Sequence, residues 1–351
     1  MKKTAMRVVS LIMGAMMMAF LLVSCSKKPY DYKLSDYIAV PGDLTAITVT
    51  HEEIISAMDV QIQKLRENNS KQVEVTDRAI ASGDTVKLSI SCYKTDEKKT
   101  ALPDISDSDC TLVVGDGKYP ADLEKSLIGK EIGKQYSVKV TLPSTFSAND
   151  LAGKQIFYDV EIKAIYTAVL PEYNIELIKK ASSFESVEEY EKYLYERMKE
   201  EIIFDKLLAQ STVSASPIDE VQSYTTSFTK YYTERADELK LTLEQYVAKK
   251  FFINMTDFHL KADAYAKSLV KEEMLLYTLA RRYKLELTDD EYTEGAQKYA
   301  KEYGLESVSK LEAKFGTVYV EQTVLMDKVL AYLSEQITVI GAPESEMTPA
   351  V

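Results

Sequence analysis

The sequence has no tryptophan, and among its 351 residues only three are cysteine and two histidine. His51 and His259 stand far apart in the chain. A zinc site of Cys and His, or a Cys/His catalytic pair, therefore has no ligands at usable spacing. Positive charge is also short: 43 Lys and Arg face 55 Asp and Glu, a net charge of -12. A field of that sign repels phosphate backbones and excludes an electrostatic footprint for nucleic acid. A phosphate loop is missing as well. Gly129 and Gly133 are separated by three residues, and Gln135 follows Lys134 where Ser or Thr is required, so this is a turn. The acids Glu52-Glu53 and Asp289-Asp290-Glu291 sit in first helical turns, where the helix dipole favours them, and form no acid/base dyad. No covalent catalytic residue, metal or cofactor is expected. What remains is ordinary globular material, 46% hydrophobic and 28% charged, long enough for two or three domains.

The chain opens with Lys2, Lys3 and Arg7 around the start of an apolar run from Val8 to Val23. That run is short for ~30 Å of hydrocarbon and has the layout of a secretory signal. Leu22-Val23-Ser24-Cys25 is similar to a bacterial lipobox, in which Cys25 becomes the first mature residue and its thiol takes a diacylglycerol. The alternative is a plain signal or an uncleaved anchor with an incidental cysteine. On the lipobox reading, residues 1–24 are the signal and 25–48 a lipidated tether and short extended segment. The protein is then exported and held to the extracytoplasmic face of the cell membrane by its lipid. Two cysteines are left, Cys92 and Cys110. A disulfide across the charged loop and two small apolar residues on neighbouring strands are equally open readings.

Thr50-His51-Glu52-Glu53 is a capping box, and Ile54, Met58, Ile62 and Leu65 recur at helical spacing until Asn68-Asn69. This predicts a linker helix within residues 49–75, packed on the helical body. From Thr85 the residues alternate, with Val86, Leu88 and Ile90 on one face, as in a half-buried strand. Thr111 to Val114 predicts a second strand, Ala121 to Ile128 a short helix ended by Gly129, and Gln135–Leu142 and Gln155–Ile165 two more strands. After Leu170-Pro171 the pattern turns helical. Ser186-x-x-Glu189, Thr242-x-x-Gln245 and Thr288-x-x-Glu291 mark helix starts, as does Ser216 before Pro217. Leu243 to Tyr283 holds neither Gly nor Pro, and unbroken it would reach ~60 Å at 1.5 Å per residue. Arm-like helices are the expectation.

The order strand, Asp77-Arg78, Gly83-Asp84, strand, Gly115-Asp116-Gly117, short helix, Gly129, strand, Leu142-Pro143, strand resembles trigger factor. Val113 to Ile162 is similar to the second half of an FKBP-type peptidylprolyl isomerase domain, and Leu170-Pro171-Glu172 to the passage into trigger factor's C-terminal chaperone arms. The resemblance covers about residues 35 to 340 and lacks the N-terminal ribosome-docking domain, so no ribosome partner is expected. It implies an α+β fold: a small FKBP-like antiparallel sheet domain with one short helix at 76–167, attached to an elongated all-α chaperone domain with arm-like helices at 168–340. Residues 341–351 are expected to be a disordered tail. It also implies a folding factor for unfolded or proline-containing polypeptides.

Carried over by position, the substrate pocket falls on Ile90, Tyr119, Pro120, Leu123, Phe146 and Tyr158. An apolar pocket suits the reaction, because rotating a prolyl amide needs desolvation rather than a nucleophile. Three departures weaken the match. The charged stretch Lys94–Asp109 reads as a solvated loop without the expected Phe-Asp pair. Leu123 replaces a large floor ring, and Pro120 has no N–H to direct at a substrate carbonyl. A one-residue slip would return that donor through Tyr119. A catalytic pocket and a degenerate pocket in a non-catalytic holdase or scaffold both remain open. In the helices, Tyr224, Phe228, Tyr231, Phe251 and Phe258 lie on aromatic stripes that read either as core or as client-binding surface.

Overall fold

A computed structural model describes residues 32–94, 100–146 and 151–341. The signal, Cys25 and the tether up to residue 31, and nearly all of the C-terminal tail lie outside the described residues. Helix α1 spans His51–Asn68 and is followed by strands β1 (Lys71–Glu74), β2 (Thr85–Tyr93) and β3 (Asp107–Val113). Helix α2 (Ala121–Leu127) precedes β4 (Gln135–Thr141) and the long β5 (Gln155–Val169). Apart from the two-residue strands Thr212–Val213 and Val339–Ile340, which pair with Ile38–Ala39 and Val49–Thr50, the rest is helical: α3 (Ile175–Ala181), α4 (Val187–Gln210), α5 (Ile218–Glu238), α6 (Leu243–Phe251), α7 (Met255–Tyr283), α8 (Asp289–Glu302), α9 (Val308–Phe315) and α10 (Thr317–Gln336). Among the described residues, no helix is long and apolar enough to cross a membrane.

The described chain divides into two bodies. The first comprises residues up to 69, 172–228 and 263 onward; the second comprises 70–171 and 229–262. The division cuts α5 after Phe228 and α7 after Ala262. Residues 229–262 therefore cluster with the sheet rather than with the other helices, unlike the boundary drawn at 168 from sequence.

In the helical body, local chemistry sets the helix starts. Thr50 and Thr288 each accept from the backbone N–H three residues on, while Glu53 and Glu291 return the bond. At Ser186 only half the box forms: its hydroxyl accepts from the Glu189 N–H, but the Glu189 carboxylate accepts from Glu185. Helices α1 and α10 both pack on α4. Eleven of the 20 residues of α10 are buried, so it forms the middle of this core rather than one side of it. Tyr224, Phe228, Leu275 and Leu330 belong to the same cluster. The stripe through Tyr224 and Phe228 is thus core in this body. The Tyr224 hydroxyl donates to Glu273, which also accepts from Gln322 Nε2 at 2.9 Å.

The sheet body contains five antiparallel strands in the order β1-β5-β2-β3, with β4 also on β5. The 15-residue β5 serves three partners: β4 along its first half, β1 along its last four residues, and β2 on its other edge. Val86, Leu88, Ile90 and Cys92 alternate inward on β2, as do Ile156, Tyr158, Val160 and Ile162 on β5. Register shifts at Lys87/Leu88 and Leu88/Ile90 mark bulges, which add local twist. Helix α2 closes this face with the fully buried Leu123 and Leu127.

The structure departs from the sequence reading, or decides what it left open, in four places. Strand β1 is the strand that the family resemblance places ahead of Asp77; its four residues are all exposed, so no alternation marks it. Strand β3 begins at Asp107, and Ile105 before it is buried, so the end of the charged stretch is structure rather than solvated loop. The run Leu243–Tyr283 is two helices, because Phe252 turns left-handed and Asn254 caps the next helix by accepting from the Asp257 N–H at 2.8 Å. Finally, Cys92 and Cys110 are free and buried. Cys110 lies opposite Leu88, four residues along β2 from Cys92. At ~3.3 Å per residue that separation exceeds the reach of a disulfide.

Two outcomes are expected from the helical body. A Cβ at Gly295 on α8 would lie 2.5 Å from Cγ1 of Val324 on α10. Gly295→Ala should therefore destabilise by roughly 1–3 kcal/mol in denaturant titration, despite alanine's helix preference; a stabilised variant would contradict this packing. The second concerns Glu272, which burial pushes up to about 7, with Asp205 and Glu273 adding to the rise. Between the unfolded value of 4.5 and about 7 the folded chain holds a proton that the unfolded chain has released. That contribution to stability is present below pH 4.5 and lost as pH rises through 7. Glu272→Gln should gain on the order of 2 kcal/mol over the parent at pH 8 and almost nothing at pH 4. An equal difference at both pH values would rule the linkage out.

Candidate functional site

The inward alternation of β2 and β5 sets the floor of the site. Cys92 pairs with Tyr158 across these strands, and Tyr158 pairs with Val138 on the other side. Ile90, Leu123, Phe146 and Tyr158 are 4%, 0%, 1% and 1% exposed and share one apolar cluster, with the half-buried Tyr119 packed against it. Five of the six pocket positions anticipated from sequence thus belong to or pack on the core cluster of the sheet body, and four of them are closed off from solvent. The sixth, Pro120, caps the N-terminus of α2, its carbonyl accepting from the Leu123 N–H at 2.9 Å.

The loop carrying Tyr119 is organised by Glu124, which sequence reasoning overlooked. Its buried carboxylate accepts from the N–H groups of Gly115 at 3.0 Å, Gly117 at 3.2 Å and Tyr119 at 2.9 Å. Gly115 and Gly117 have φ of 94° and 74°, which glycine adopts without the clash a side chain would bring. A carboxylate one turn into a helix that follows a Gly-x-Gly loop was the available signal. The consequence for chemistry is direct. Pro120 has no N–H, and the N–H of Tyr119 is committed to Glu124, so a one-residue slip does not restore a backbone donor here. Elsewhere, the Arg78 guanidinium grips Asp84 through two bonds, at 2.6 and 2.8 Å, and holds the Asp84 carboxyl below its ordinary range. The Asp122 carboxylate accepts from the Thr141 N–H at 3.0 Å and ties α2 to β4.

Burial controls the ionisation of the polar groups in this apolar cluster, called the cup below. It pushes the Cys92 thiol up to about 12 and raises Cys110 as well. It also raises the phenols of Tyr119 and Tyr158. Cys110 Sγ donates to the Tyr119 hydroxyl at 3.2 Å. All four groups are protonated at neutral pH, which leaves neither thiolate nor base for covalent chemistry. Among the described residues, no three His, Cys, Asp or Glu are placed to hold a metal. Such an arrangement can bind, desolvate and orient an apolar group.

Two residues from the helical region enter the cup's cluster: Ala248 on α6 and Phe252 just beyond it. Of the aromatic positions weighed as client surface, Phe258 is buried, as are Tyr224 and Phe228. Tyr231 is half-buried and Phe251 is 39% exposed. Tyr231, Phe251 and Phe258 surround Tyr232, with ring centroids 5.1, 5.4 and 5.6 Å away. The stripe is therefore mostly core, with Phe251 its open end.

Comparison with known proteins gives a consistent picture. Residues 76–163 match the FKBP-type peptidyl-prolyl cis-trans isomerase family, and residues 178–335 match the family described as bacterial trigger factor protein C-terminus. Trigger factor of Caldicellulosiruptor saccharolyticus is 25% identical over 336 residues, covering 91% of this chain and 74% of that protein. Trigger factor of Lachnoclostridium phytofermentans is 27% identical over 306 residues, covering 84% and 69%. A solved structure from work on promiscuous substrate recognition by the trigger factor chaperone shares 19% identity, with a TM-score of 0.31, over 86% of this chain and 73% of that one. The chain is thus similar to an FKBP-type domain followed by a trigger factor C-terminal domain, and these curated relatives are trigger factors.

Proposed function

We propose that this protein is an exported, lipid-anchored folding factor that isomerises prolyl bonds in its FKBP-type domain and holds unfolded chains with its helices. The observation that carries the isomerase half is the meeting of Ile90, Tyr119, Leu123, Phe146 and Tyr158 in one apolar cluster whose polar groups are all protonated. Rotation about a prolyl amide faces ~18–20 kcal/mol because resonance is lost on the way. An apolar cup disfavours the charge-separated planar form, and a wall shaped to the twisted amide binds the transition state in preference to the ground state. No proton need be transferred. Export and anchoring rest on the Leu22-Val23-Ser24-Cys25 sequence.

One observation favours a second reading, a holdase with a degenerate pocket. Neither Pro120 nor Tyr119 offers a backbone N–H to a substrate carbonyl. Two assays separate the readings: isomerisation of a short Xaa-Pro peptide, and refolding of a protein limited by proline isomerisation. Acceleration of either at micromolar protein is expected. Suppressed client aggregation with no acceleration of either would leave the holdase alone. For the anchor, Cys25→Ser should move the protein from the membrane fraction to the soluble fraction. A variant that stays with the membrane would refute lipidation at that residue.

A further inference from the structure

The end of α6 belongs to the same compact body as the sheet, and three contacts fix it against the cup. Ala248 and Phe252 are 7% and 8% exposed within the cluster that holds Ile90, Leu123, Phe146 and Tyr158. The Phe252 ring meets Tyr119 edge-on, with centroids 5.6 Å apart and planes at 60°. Beside it, Lys249 Nζ donates to the Ser106 carbonyl at 3.1 Å and lies 3.6 Å from Asp107 Oδ2. The preceding Phe251 goes elsewhere, toward Tyr232 and Tyr246, and is 39% exposed. Of two consecutive aromatic residues, one is therefore delivered to the prolyl cup.

Backbone conformation is an independent observation. Phe252 has φ 56° and ψ 34°, a left-handed position at a helix end where glycine is the usual residue. A side chain there carries a steric cost, which the solvent-facing Lys240 and Lys284 also bear at helix ends with φ of 58° and 57°. What distinguishes Phe252 from them is that its side chain is buried, against Tyr119 and the cluster.

We propose that Phe252 is a built-in occupant of the isomerase cup, seated where the ring of a substrate proline would enter, so that the site opens only when the end of α6 withdraws. The proposal rests on reading this cup as the prolyl site. Substrate then binds only the open fraction of molecules. Where that fraction is about one in ten, apparent affinity falls about tenfold.

The test uses the full chain and compares the parent with Phe252→Gly, which suits the left-handed turn while removing the ring. Two readouts are taken. The first is the rate at which a maleimide modifies Cys110, located by peptide mass spectrometry. The second is kcat/KM for a short Xaa-Pro peptide. Cys110 is 1% exposed and bonded to the tyrosine that Phe252 covers. The expected result is a rise of about tenfold or more in both. Should Phe252→Gly fail to fold, Lys249→Ala loosens the same end of α6, and a smaller rise in both readouts is expected. Faster modification of Cys110 with no isomerisation by either protein would support the occupant and refute the isomerase reading. Modification at the parent's rate, or a level or lower kcat/KM in a protein that does isomerise, would overturn the proposal.

Discussion

The pairing of β5 with three partners is the constraint on which the rest of the sheet body depends. One strand of 15 residues supplies edges to β1, β2 and β4, so its register fixes all three. A slip of one residue would turn Ile156, Tyr158, Val160 and Ile162 outward and bring their charged and polar neighbours into the core. The bulges in β2 then decide how Ile90 and Cys92 are aimed, and α2 can lay Leu123 over the floor only because that floor is apolar. The cup is a by-product of this core, placed where β2, β5 and the Tyr119 loop converge. Its shape is therefore as stable as the sheet itself.

The chemistry follows from burial rather than from reactive groups. Four polar side chains lie in or beside the cup, and desolvation keeps each of them neutral. The buried carboxylate at its rim, Glu124, is bound to three backbone N–H groups and shapes the loop. A site of this kind discriminates by shape and dryness, which are the properties that act on a resonance-stabilised amide. The same dryness makes the cup adhesive to any large apolar side chain that can reach it, and Phe252 reaches it from within the chain.

Much of this was legible in the sequence, and the failures have physical causes. Alternation from Thr85 announced β2, and the boxes at Thr50, Thr242 and Thr288 marked helix starts because capping is local chemistry. The pocket positions came from resemblance to a family, not from periodicity, since Tyr119 and Phe146 lie in loops that no repeat describes. Strand β1 was legible only through that resemblance, because an exposed four-residue strand carries no hydrophobic pattern. The break after Phe251 was missed because a non-glycine residue, Phe252, takes the left-handed turn there, and neither Gly nor Pro marks it. For the same reason the aromatic stripes could not be sorted into core and surface: Tyr224 is buried against Glu273 while Phe251 is not, and their local sequences look alike.

The most direct measurement of the central claim is a nuclear magnetic resonance titration of methyl-labelled full chain with a short Xaa-Pro peptide, following Ile90 and Leu123. Binding of proline in the cup should shift both methyl signals together in a saturable way, with Ile54 and Leu330 of the helical core unmoved. Saturating peptide that leaves Ile90 and Leu123 in place, or that moves only residues of the helical core, would contradict the account.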